Sequence, residues 1–257
     1  MSTSKPVVLT IAGLDPSGGA GIVADIKTIA ALGCFPAAAL TSITYQNTTG
    51  VFGAEHQTAA TLRAQVEPIV QDLNVAAAKT GMLPTAEIVA EVARLFSKEN
   101  LPAPVVDPVV VATSGDVLID DEAFEILKTK LFPVARVVTP NIPEAEQLAG
   151  FPIHSEADMR RAAEVIQSIG ARAVLVKGGH RGEAFDILLG DDGTFTEFRG
   201  EYLDVGEVHG SGCTLSAAIA ACLGKGMSLE EAVGAAKEYV TNAIQSASHI
   251  GHGARPL

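Results

Sequence analysis

The sequence alternates short apolar runs with longer segments in which apolar residues recur every three or four positions. The first run, residues 7–12, is rich in β-branched side chains and ends at Gly13; Ile22, Ile26 and Ile29 then follow at helical spacing. This pattern predicts a strand, a glycine-rich loop and a helix. The same order recurs, which predicts strands at 37–44, 76–80, 105–107, 136–139 and 173–177 and helices at 58–74, 85–100, 121–132 and 156–169.

Such alternation is typical of a mostly parallel sheet covered by helices on both faces, because parallel strands need crossover connections. The segment "AFDILLGDDGTFTEFRGEYL" departs from it and predicts an antiparallel hairpin at the sheet edge. Two last helices are predicted from Cys213 and from Leu229, the latter led by Ser228 and Glu231 as a capping box. There is no linker or repeat, so we expect one domain over residues 1–257.

Composition excludes several function classes. The formal net charge of -12 argues against nucleic acid and against an anionic membrane, since both need a cationic surface. The three cysteines show no metal or disulfide spacing, and the first residues lack a signal-peptide pattern. No apolar run approaches the ~18 residues that span a bilayer. We therefore expect a cytoplasmic protein without nucleic-acid or membrane partners.

Glycine-rich and polar motifs follow the predicted strands, where open α/β sheets bind their ligands. One of them, "HGSGCTLSAAIAA", places the amides of residues 210–213 at a helix start. Gly210 and Gly212 there suit an anion site, and the same field is expected to lower the pKa of Cys213. The alternatives are an ordinary helix start and an inert buried cysteine.

The first loop, "GLDPSGGAG", is glycine-rich but matches neither the P-loop nor the dinucleotide fingerprint. This argues against a nicotinamide-dependent oxidoreductase, although the fold class alone would suit one. The loop allows the backbone to approach a flat ligand, with Asp25 one helical turn further on. The alternative for Asp25 is a solvated helix carboxylate.

Two further motifs suggest phosphate and metal chemistry. Asn141 and Glu144 share one face of a first helical turn, and their amide and carboxylate oxygens suit Mg²⁺; helix capping is the alternative. Lys177 ends a strand and suits a phosphate, while Asp107 ends another and faces the same crevice. The histidines 56, 180 and 209 show no ligand spacing and are expected to be hydrogen-bonding residues.

Seven motifs in order give the chain a resemblance to a known family. They are "TIAGLDPSGGAGIVADIKT", "QNTTGV", "KTGML", "DPVVVATSGD", "TPNIPEAEQL", "VLVKGGH" and "HGSGCTLSAAIA". With them the chain resembles the hydroxymethylpyrimidine and phosphomethylpyrimidine kinases of thiamin synthesis, a branch of the ribokinase-like superfamily. The resemblance implies a three-layer ribokinase-like fold, ATP and Mg²⁺ as cofactors, a pyrimidine as substrate and a homodimer.

The resemblance also implies roles for individual residues. The pyrimidine pocket would comprise Gly13, Asp25, Gln46, Met82 and Val109. Gln46 would read the ring nitrogen and amino group, and Met82 would pack on the ring.

The other implied roles concern phosphate transfer. Asn141 and Glu144 would act through Mg²⁺ on the nucleotide phosphates, with Asp107 and Lys177 near those phosphates. Gly210 and Gly212 would form the anion hole, and Cys213 would stand where sugar kinases carry a catalytic Asp.

Two departures from the family pattern concern substrate detail: Tyr45 stands where a small residue is usual, and Thr113 where many relatives have Lys. A pyridoxal or pyridoxine kinase of the same superfamily is the nearest alternative function. A non-catalytic pyrimidine sensor is an alternative from another class, but a sensor has no need of Glu144, Lys177 and "GSGC" together.

Overall fold

A nine-stranded sheet forms the centre of the molecule. The computed structural model describes residues 5–110, 119–179, 184–200, 203 and 205–257. In chain order the strands of this sheet are β1 (Val7–Leu14), β2 (Phe35–Asn47), β3 (Gly50–His56), β4 (Val75–Thr80), β5 (Val105–Val106), β6 (Val137–Val138), β7 (Val174–Lys177), β8 (Ala184–Leu189) and β9 (Phe195–Gly200).

The order of these strands across the sheet is β3-β2-β1-β4-β5-β6-β7-β8-β9. The neighbours from β2 to β7 pair in parallel, whereas β2–β3, β7–β8 and β8–β9 are antiparallel. The predicted mostly parallel sheet and its antiparallel hairpin are thus confirmed. A single carboxyl edge collects the ends of β1, β4, β5, β6 and β7.

Helices cover both faces of the sheet, which completes the predicted three layers. They are α1 (Gly21–Ala31), α2 (Ala59–Asp72), α3 (Ala86–Lys98), α4 (Asp121–Ile126), α5 (Ile142–Ala149), α6 (Glu156–Ser168), α7 (Ser211–Gly224) and α8 (Leu229–Ser246). The core on one face draws on α1, α7 and α8, and the core on the other on α2 to α6.

Strand β1 shows why both faces must be covered. Its residues Val8, Leu9, Ile11 and Ala12 are all fully buried. Leu9 and Ile11 belong to the core under α2 to α6, while Val8 packs under α7 and α8. Side chains alternate between faces along a strand, so a continuous apolar run is stable only between two layers of helices.

The structure adds a strand that the sequence pattern does not predict. β3 lies at the sheet edge, where Gly50 and Gly53 interrupt any apolar alternation. Pairing with β2, which carries a register shift between Tyr45 and Gln46, holds it there. Because that support comes from the neighbouring strand, local pattern did not reveal it.

Two predicted helices also differ from the observed ones. The helix predicted at residues 121–132 is an α-helix only over α4, Asp121–Ile126. The chain then continues as a π turn, Leu127–Leu131, and a 3-10 turn, Phe132–Val134. Pro133 lacks the amide hydrogen that a longer α-helix would need. The helix predicted from Cys213 begins earlier, at Ser211, which places Cys213 inside its first turn.

A small second sheet closes the molecule near the carboxyl edge. β10 (Val208–His209) pairs in parallel with β11 (Arg255–Pro256), so the last residues of the chain lie beside the segment that leads into α7. Among the helices that the structure describes, none is both long and apolar enough to cross a membrane.

Candidate active site

The loop after β1 is folded around one buried carboxylate. Asp15 accepts hydrogen bonds from the Ser17 amide at 2.8 Å, the Ser17 hydroxyl at 2.7 Å and the Ala20 amide at 2.9 Å. Its other strong partner is His209 Nε2 at 3.0 Å. Although burial opposes it, the His209 hydrogen bond holds the pKa of Asp15 below its ordinary value. The loop is therefore rigid and tied to the start of α7.

The start of α7 has the geometry that an anion site requires. Gly210 is the N-cap residue in a left-handed conformation, φ 90°. A Cβ at Gly210 would lie 1.8 Å from the Gly19 carbonyl oxygen, so the two loops approach more closely than any side chain would allow. The first amides of a helix have no partner within it. At α7 they belong to Ser211, Gly212 and Cys213.

Cys213 lies near the beginning of a second helix, because Gly210 at the start of α7 packs against Gly19 and Ala20 just before α1. The expected lowering of its pKa is wrong. Burial raises the pKa of Cys213 to about 11, and the carboxylates of Asp25 and Asp107 add to that rise against the opposing charge of Lys79. Desolvation and two carboxylates outweigh the helix dipoles, so the thiol is neutral at neutral pH.

Asp25 is not a solvated helix carboxylate but half of a buried ion pair. Lys79 Nζ lies 2.9 Å from Oδ1 and 2.8 Å from Oδ2 of Asp25, and both side chains are fully buried. The Thr10 hydroxyl donates to Oδ2 at 2.5 Å. Burial raises the pKa of Asp25, but with three donors directed at it we assign it as a carboxylate. Although burial opposes it, the carboxylate of Asp25 raises the pKa of Lys79, which stays an ammonium.

A second ion pair lies at the end of β5. Asp107 Oδ1 accepts from Lys177 Nζ at 3.1 Å and from the Thr139 hydroxyl at 3.3 Å, and Oδ2 accepts from the Ser216 hydroxyl at 3.3 Å. A Cβ at Gly212 would lie 3.3 Å from Lys177 Nζ and 3.6 Å from Asp107 Oδ2. The predicted phosphate residues therefore meet the start of α7.

Asn141 and Glu144 form a reciprocal capping box at the start of α5. The Glu144 amide donates to Asn141 Oδ1 at 2.9 Å, and the Asn141 amide donates to Glu144 Oε2 at 2.8 Å. The capping alternative is thus correct. Burial raises the pKa of Glu144 to about 7, and the charge of Lys177 opposes the rise.

The same region fits the Mg²⁺ that the resemblance implies. The charge of Asp107 adds to the rise in the pKa of Glu144, and a divalent cation between the two carboxylates would relieve that repulsion. No cluster of three or more His, Cys, Asp and Glu residues able to hold a metal occurs within the described part of the chain. This donor set therefore suits Mg²⁺ that keeps waters and is shared with phosphates, not a closed protein cage.

The residues assigned to a pyrimidine pocket fall into three places. Met82 Sδ would lie 3.1 Å from a Cβ at Gly13, so these two residues are in close contact and a side chain at position 13 would press on Met82. Gln46 lies further along β2, with its Nε2 2.9 Å from His209 Nε2. Val109 is half-buried near the second ion pair, where its amide donates to the Asp107 carbonyl at 2.9 Å.

The two departures from the family pattern have different outcomes. Tyr45 is 54% exposed, and its ring lies beside Gly53, away from the buried side of β2. Gln46 is half-buried beside His209, whereas the Tyr45 ring is exposed, so the two side chains lie in different surroundings. Thr113 lies outside the described residues, as does His180. The other two histidines are hydrogen-bonded as expected, His209 to Asp15 and His56 to Ser42 at 2.5 Å.

Sequence reasoning missed Lys79, Asp15 and Ser216. Lys79 carried a usable signal, since it is a lone cation inside the apolar run "VAAAKT" of a central strand. A buried lysine needs a buried partner, and Asp25 was the available carboxylate. Ser216 gave no comparable signal within its alanine-rich helix.

Comparisons with known proteins identify relatives of this chain. The sequence model of the family described as phosphomethylpyrimidine kinase matches residues 15–257. A hydroxymethylpyrimidine/phosphomethylpyrimidine kinase from Streptomyces coelicolor is 47% identical over 256 residues, which is 99% of this chain and 94% of that protein. One from Bacillus subtilis is 42% identical over 250 residues, with 96% of this chain and 92% of that protein covered.

Solved structures show the same relationship. The crystal structure of a phosphomethylpyrimidine kinase from Clostridium difficile 630 has a TM-score of 0.83 and 43% identity, and covers 93% of this chain and 100% of that one. The ADP complex of Bacillus subtilis pyridoxal kinase has a TM-score of 0.90 and 37% identity, and covers 98% of this chain and 96% of that one. These matches, together with the residues gathered at the carboxyl edge, show that the chain belongs to the phosphomethylpyrimidine kinase family.

Proposed function

We propose that this protein is a kinase that uses ATP to phosphorylate 4-amino-5-hydroxymethyl-2-methylpyrimidine and then phosphorylates the monophosphate to the diphosphate, for thiamin biosynthesis. The observation that carries the proposal is the start of α7, where the position of a Gly212 Cβ lies 3.3 Å from Lys177 Nζ. Helix amides, a lysine and an Asn141–Glu144 pair then surround one place. That arrangement serves phosphoryl transfer, which depends on positioning and charge stabilisation.

The groups that would bind phosphate carry a positive charge or are amides without a hydrogen-bond partner inside the helix. The amides of residues 211–213 and the ammonium of Lys177 would bind the oxygens of the transferred phosphoryl group. Asn141 and Glu144 would hold Mg²⁺ through water, with Asp107 nearby. When bound, Mg²⁺ supplies charge neutralisation on the nucleotide phosphates. These groups provide positive charge locally, so the net charge of -12 does not prevent the protein from binding an anionic nucleotide.

Cys213 would be the residue that accepts the proton in the first step. As the alcohol oxygen of the substrate forms its bond to the γ-phosphorus and the bond to ADP breaks, the O–H proton passes to the Cys213 sulfur. Only the thiolate accepts it, and burial raises the pKa of this thiol to about 11. The first step should therefore quicken as the pH rises from 7 to 9. In the second step the nucleophile is a phosphate oxygen and needs no base.

The pyrimidine would lie between the first loop and β2. Gln46 offers an amide donor and acceptor to the ring nitrogen and amino group, and Gly13 and Met82 form a close-packed wall. Asp25 on α1 is paired with Lys79, and the Val109 amide donates to the Asp107 carbonyl. We assign substrate binding to these residues on the family pattern together with their positions.

A second candidate function is phosphorylation of pyridoxal or pyridoxine. The observation that favours it is the TM-score of 0.90 with Bacillus subtilis pyridoxal kinase over 98% of this chain. Vitamin B6 compounds are of similar size and carry a hydroxymethyl group. The same phosphate side would serve them, and the pocket alone would decide between the two rings.

The proposal includes the setting in which the enzyme works. Cys34, Cys213 and Cys222 are all free thiols, as is usual in the reducing cytoplasm. We place the enzyme there, with a small-molecule pyrimidine and ATP as its partners. We further propose a homodimer, supported by the family pattern and by the exposed side chains of Ile43, Tyr45 and Phe52 on the β2–β3 hairpin.

Turnover with ATP and Mg²⁺ tests the function directly. The purified full chain is incubated with 4-amino-5-hydroxymethyl-2-methylpyrimidine, and mass spectrometry resolves the mono- and diphosphate; pyridoxal and pyridoxine are run in parallel. Appearance of both phosphates is the expected result. Monophosphate alone, or faster turnover of pyridoxal, would assign the protein to vitamin salvage instead. Tight pyrimidine binding without turnover would indicate a sensor.

A further inference from the structure

Residues 251–257 run past the pyrimidine side of the site and have no role in the proposed reaction. Gly251 and His252 are exposed and the next five residues are half-buried, so this 251–257 segment adds little to the apolar core. Its backbone is nevertheless bonded at defined places to three other parts of the molecule. Apolar packing alone therefore does not account for its position.

The first attachment of the 251–257 segment is the turn between β2 and β3. The Ala254 amide donates to the Thr48 carbonyl at 2.9 Å, and the Gly253 amide donates to the Thr48 hydroxyl at 3.3 Å. A Cβ at Gly253 would lie 1.9 Å from the Thr48 carbonyl oxygen, and one at Gly251 would lie 2.2 Å from the Thr48 hydroxyl oxygen. Glycine at both positions lets the segment lie directly against the turn.

The second attachment is the short strand that leads into α7. The Arg255 amide donates to the Glu207 carbonyl at 2.9 Å, and the pairing of β10 with β11 places Pro256 opposite His209. A Cβ at Gly19 would lie 2.7 Å from His209 Cδ2 and 2.9 Å from Pro256 Cβ. The imidazole and the proline ring therefore both pack on the backbone of the first loop.

The third attachment is α1. Lys27 Nζ donates to the Leu257 carbonyl at 2.5 Å and to the Gly18 carbonyl at 2.8 Å, so one ammonium joins the segment to the first loop. The Leu257 amide in turn donates to the His209 carbonyl at 3.3 Å. The segment is thus fixed at both of its ends.

These attachments lie on both sides of the contact between Gln46 and His209. Gln46 is two residues before Thr48, and its Nε2 lies 2.9 Å from His209 Nε2. The segment therefore joins the backbone beside Gln46 to the backbone of His209, and a shift of the segment would change the spacing of the two side chains. Lys177 and Asp107, at the ends of β7 and β5, are held by each other instead.

We propose that the 251–257 segment positions Gln46 for the pyrimidine ring, by holding the end of β2 and the start of α7 at a fixed spacing. Its residues act through Gln46 and His209 and take no part in phosphoryl transfer. The effect on pyrimidine binding rests on the proposed function. The coupling between the segment and the two backbones does not, and it is measurable without substrate.

Gly253→Ala tests the proposal at one contact. The backbone of Gly253 lies outside the left-handed region, so alanine is acceptable there and only the Thr48 carbonyl excludes the new Cβ. The KM for the pyrimidine should rise about fivefold, with kcat and the KM for ATP within about twofold of wild type, because the phosphate groups are held elsewhere. Gly50→Ala is the matched control on the same hairpin. A Cβ there meets no atom within 4 Å, so all three constants should stay unchanged.

Lys27→Met tests the other end of the segment and changes an exposed residue that the fold does not need. It removes the bond to Leu257 and should raise the KM for the pyrimidine about threefold, again without an effect on the KM for ATP. If Gly253→Ala does not fold, this variant decides alone. A KM for the pyrimidine equal to that of wild type in both variants, or a rise of both KM values together, overturns the proposal.

Hydrogen exchange of the substrate-free full chain, read by mass spectrometry, separates this inference from the proposed function. In Gly253→Ala, exchange should quicken in peptides that contain residues 46–48, 208–209 and 254–257 and stay as in wild type elsewhere. Unchanged exchange at 46–48 and 208–209, or faster exchange throughout the chain, overturns the inference even in an active pyrimidine kinase. A wild-type chain that phosphorylates only pyridoxal would remove the proposed function, and a rise in the KM for pyridoxal alone would then support the positioning role.

Discussion

At the scale of single residues, the proposed role of Cys213 as a neutral thiol would explain how one pocket takes two substrates. The thiol has a pKa of about 11, so it carries no charge when a phosphorylated substrate binds. An aspartate at this position would repel that phosphate. Two unit charges ~4 Å apart interact by about 4 kcal/mol at an effective dielectric near 20. A weak acid in this position therefore favours the second step.

Cys213→Asp should slow the second phosphorylation at least about tenfold more than the first, because the repulsion acts on the monophosphate alone. Single-turnover rates with each substrate measure the two losses separately. Cys213→Ser is the matched variant: it removes the base without adding charge, and should harm chiefly the first step. Equal losses in both steps of the aspartate variant would contradict the explanation by charge repulsion.

A second residue-scale prediction concerns the support of Gln46. The Nε2 atom of His209 donates to Asp15 Oδ2 at 3.0 Å and lies 2.9 Å from the side-chain amide of Gln46, so the imidazole is held by the first loop and packs against the residue expected to read the pyrimidine. His209→Ala removes a hydrogen bond with a net value of about 1 kcal/mol. The KM for the pyrimidine should rise about fivefold, with KM for ATP and kcat nearly unchanged.

His209→Gln tests whether the link itself matters, because a glutamine amide can reach the position of the imidazole Nε2. Initial rates over a range of pyrimidine and ATP concentrations give the two KM values for each variant. Recovery of the pyrimidine KM in His209→Gln is the expected result. An increase of both KM values in His209→Ala would instead point to damage at the adjoining Gly210.

At the scale of elements, one carboxylate joins α2 to α3. Glu91 is 5% exposed and accepts from Arg63 on α2 at 2.9 and 2.7 Å, and from Arg94 one turn along α3 at 2.7 Å. The Arg63 hydrogen bonds, with those of Arg94, lower the pKa of Glu91 to about 2. An acid whose pKa is lowered by folding stabilises the fold above its unfolded pKa and loses that contribution as the pH falls.

Glu91→Gln should therefore reduce the free energy of unfolding at pH 7 by about 2 kcal/mol, a discounted value because Arg63 is 44% exposed to screening solvent. The difference from wild type should shrink as the pH falls from about 4.5 toward 2. Urea unfolding at pH 7 and pH 3 measures it. Glu125→Gln breaks the more exposed pair with Lys128 and serves as control. A difference independent of pH would contradict the assignment to ionisation.

Elements with a strong local signal were predictable, and those that depend on a neighbour were not. The capping box of Ser228 and Glu231 starts α8 as predicted, because cap and helix are adjacent in sequence. The hairpin between β8 and β9 was likewise predictable, because the four residues "GDDG" between its strands are typical of a turn. β3 instead depends on β2 across the sheet, and the π turn at Leu127–Leu131 depends on Pro133 beyond it.

At the scale of the whole molecule, the site could be located from the sequence, but its electrostatics could not. Asp107 follows β5 and Lys177 ends β7, and parallel strands end at one edge, so these two residues could be expected to meet; Gly212 reaches them from the start of α7. The charge state of Cys213 depends on burial and on Asp25 and Lys79, which lie far apart in sequence. A helix dipole is visible in sequence, whereas desolvation is a property of the folded molecule.

At the sheet edge, exposed apolar side chains support the proposed homodimer. β3 ends the sheet, and Phe52 and Tyr45 on this hairpin are 69% and 54% exposed, with Ile43 beside them. An edge strand with exposed apolar side chains favours association with a second copy. We expect light scattering to give twice the chain mass of 26.5 kDa, and Phe52→Glu to give the monomer mass. Met227→Glu, in the turn between α7 and α8, should leave the dimer intact. A wild-type chain that elutes as a monomer at all concentrations would reject this interface.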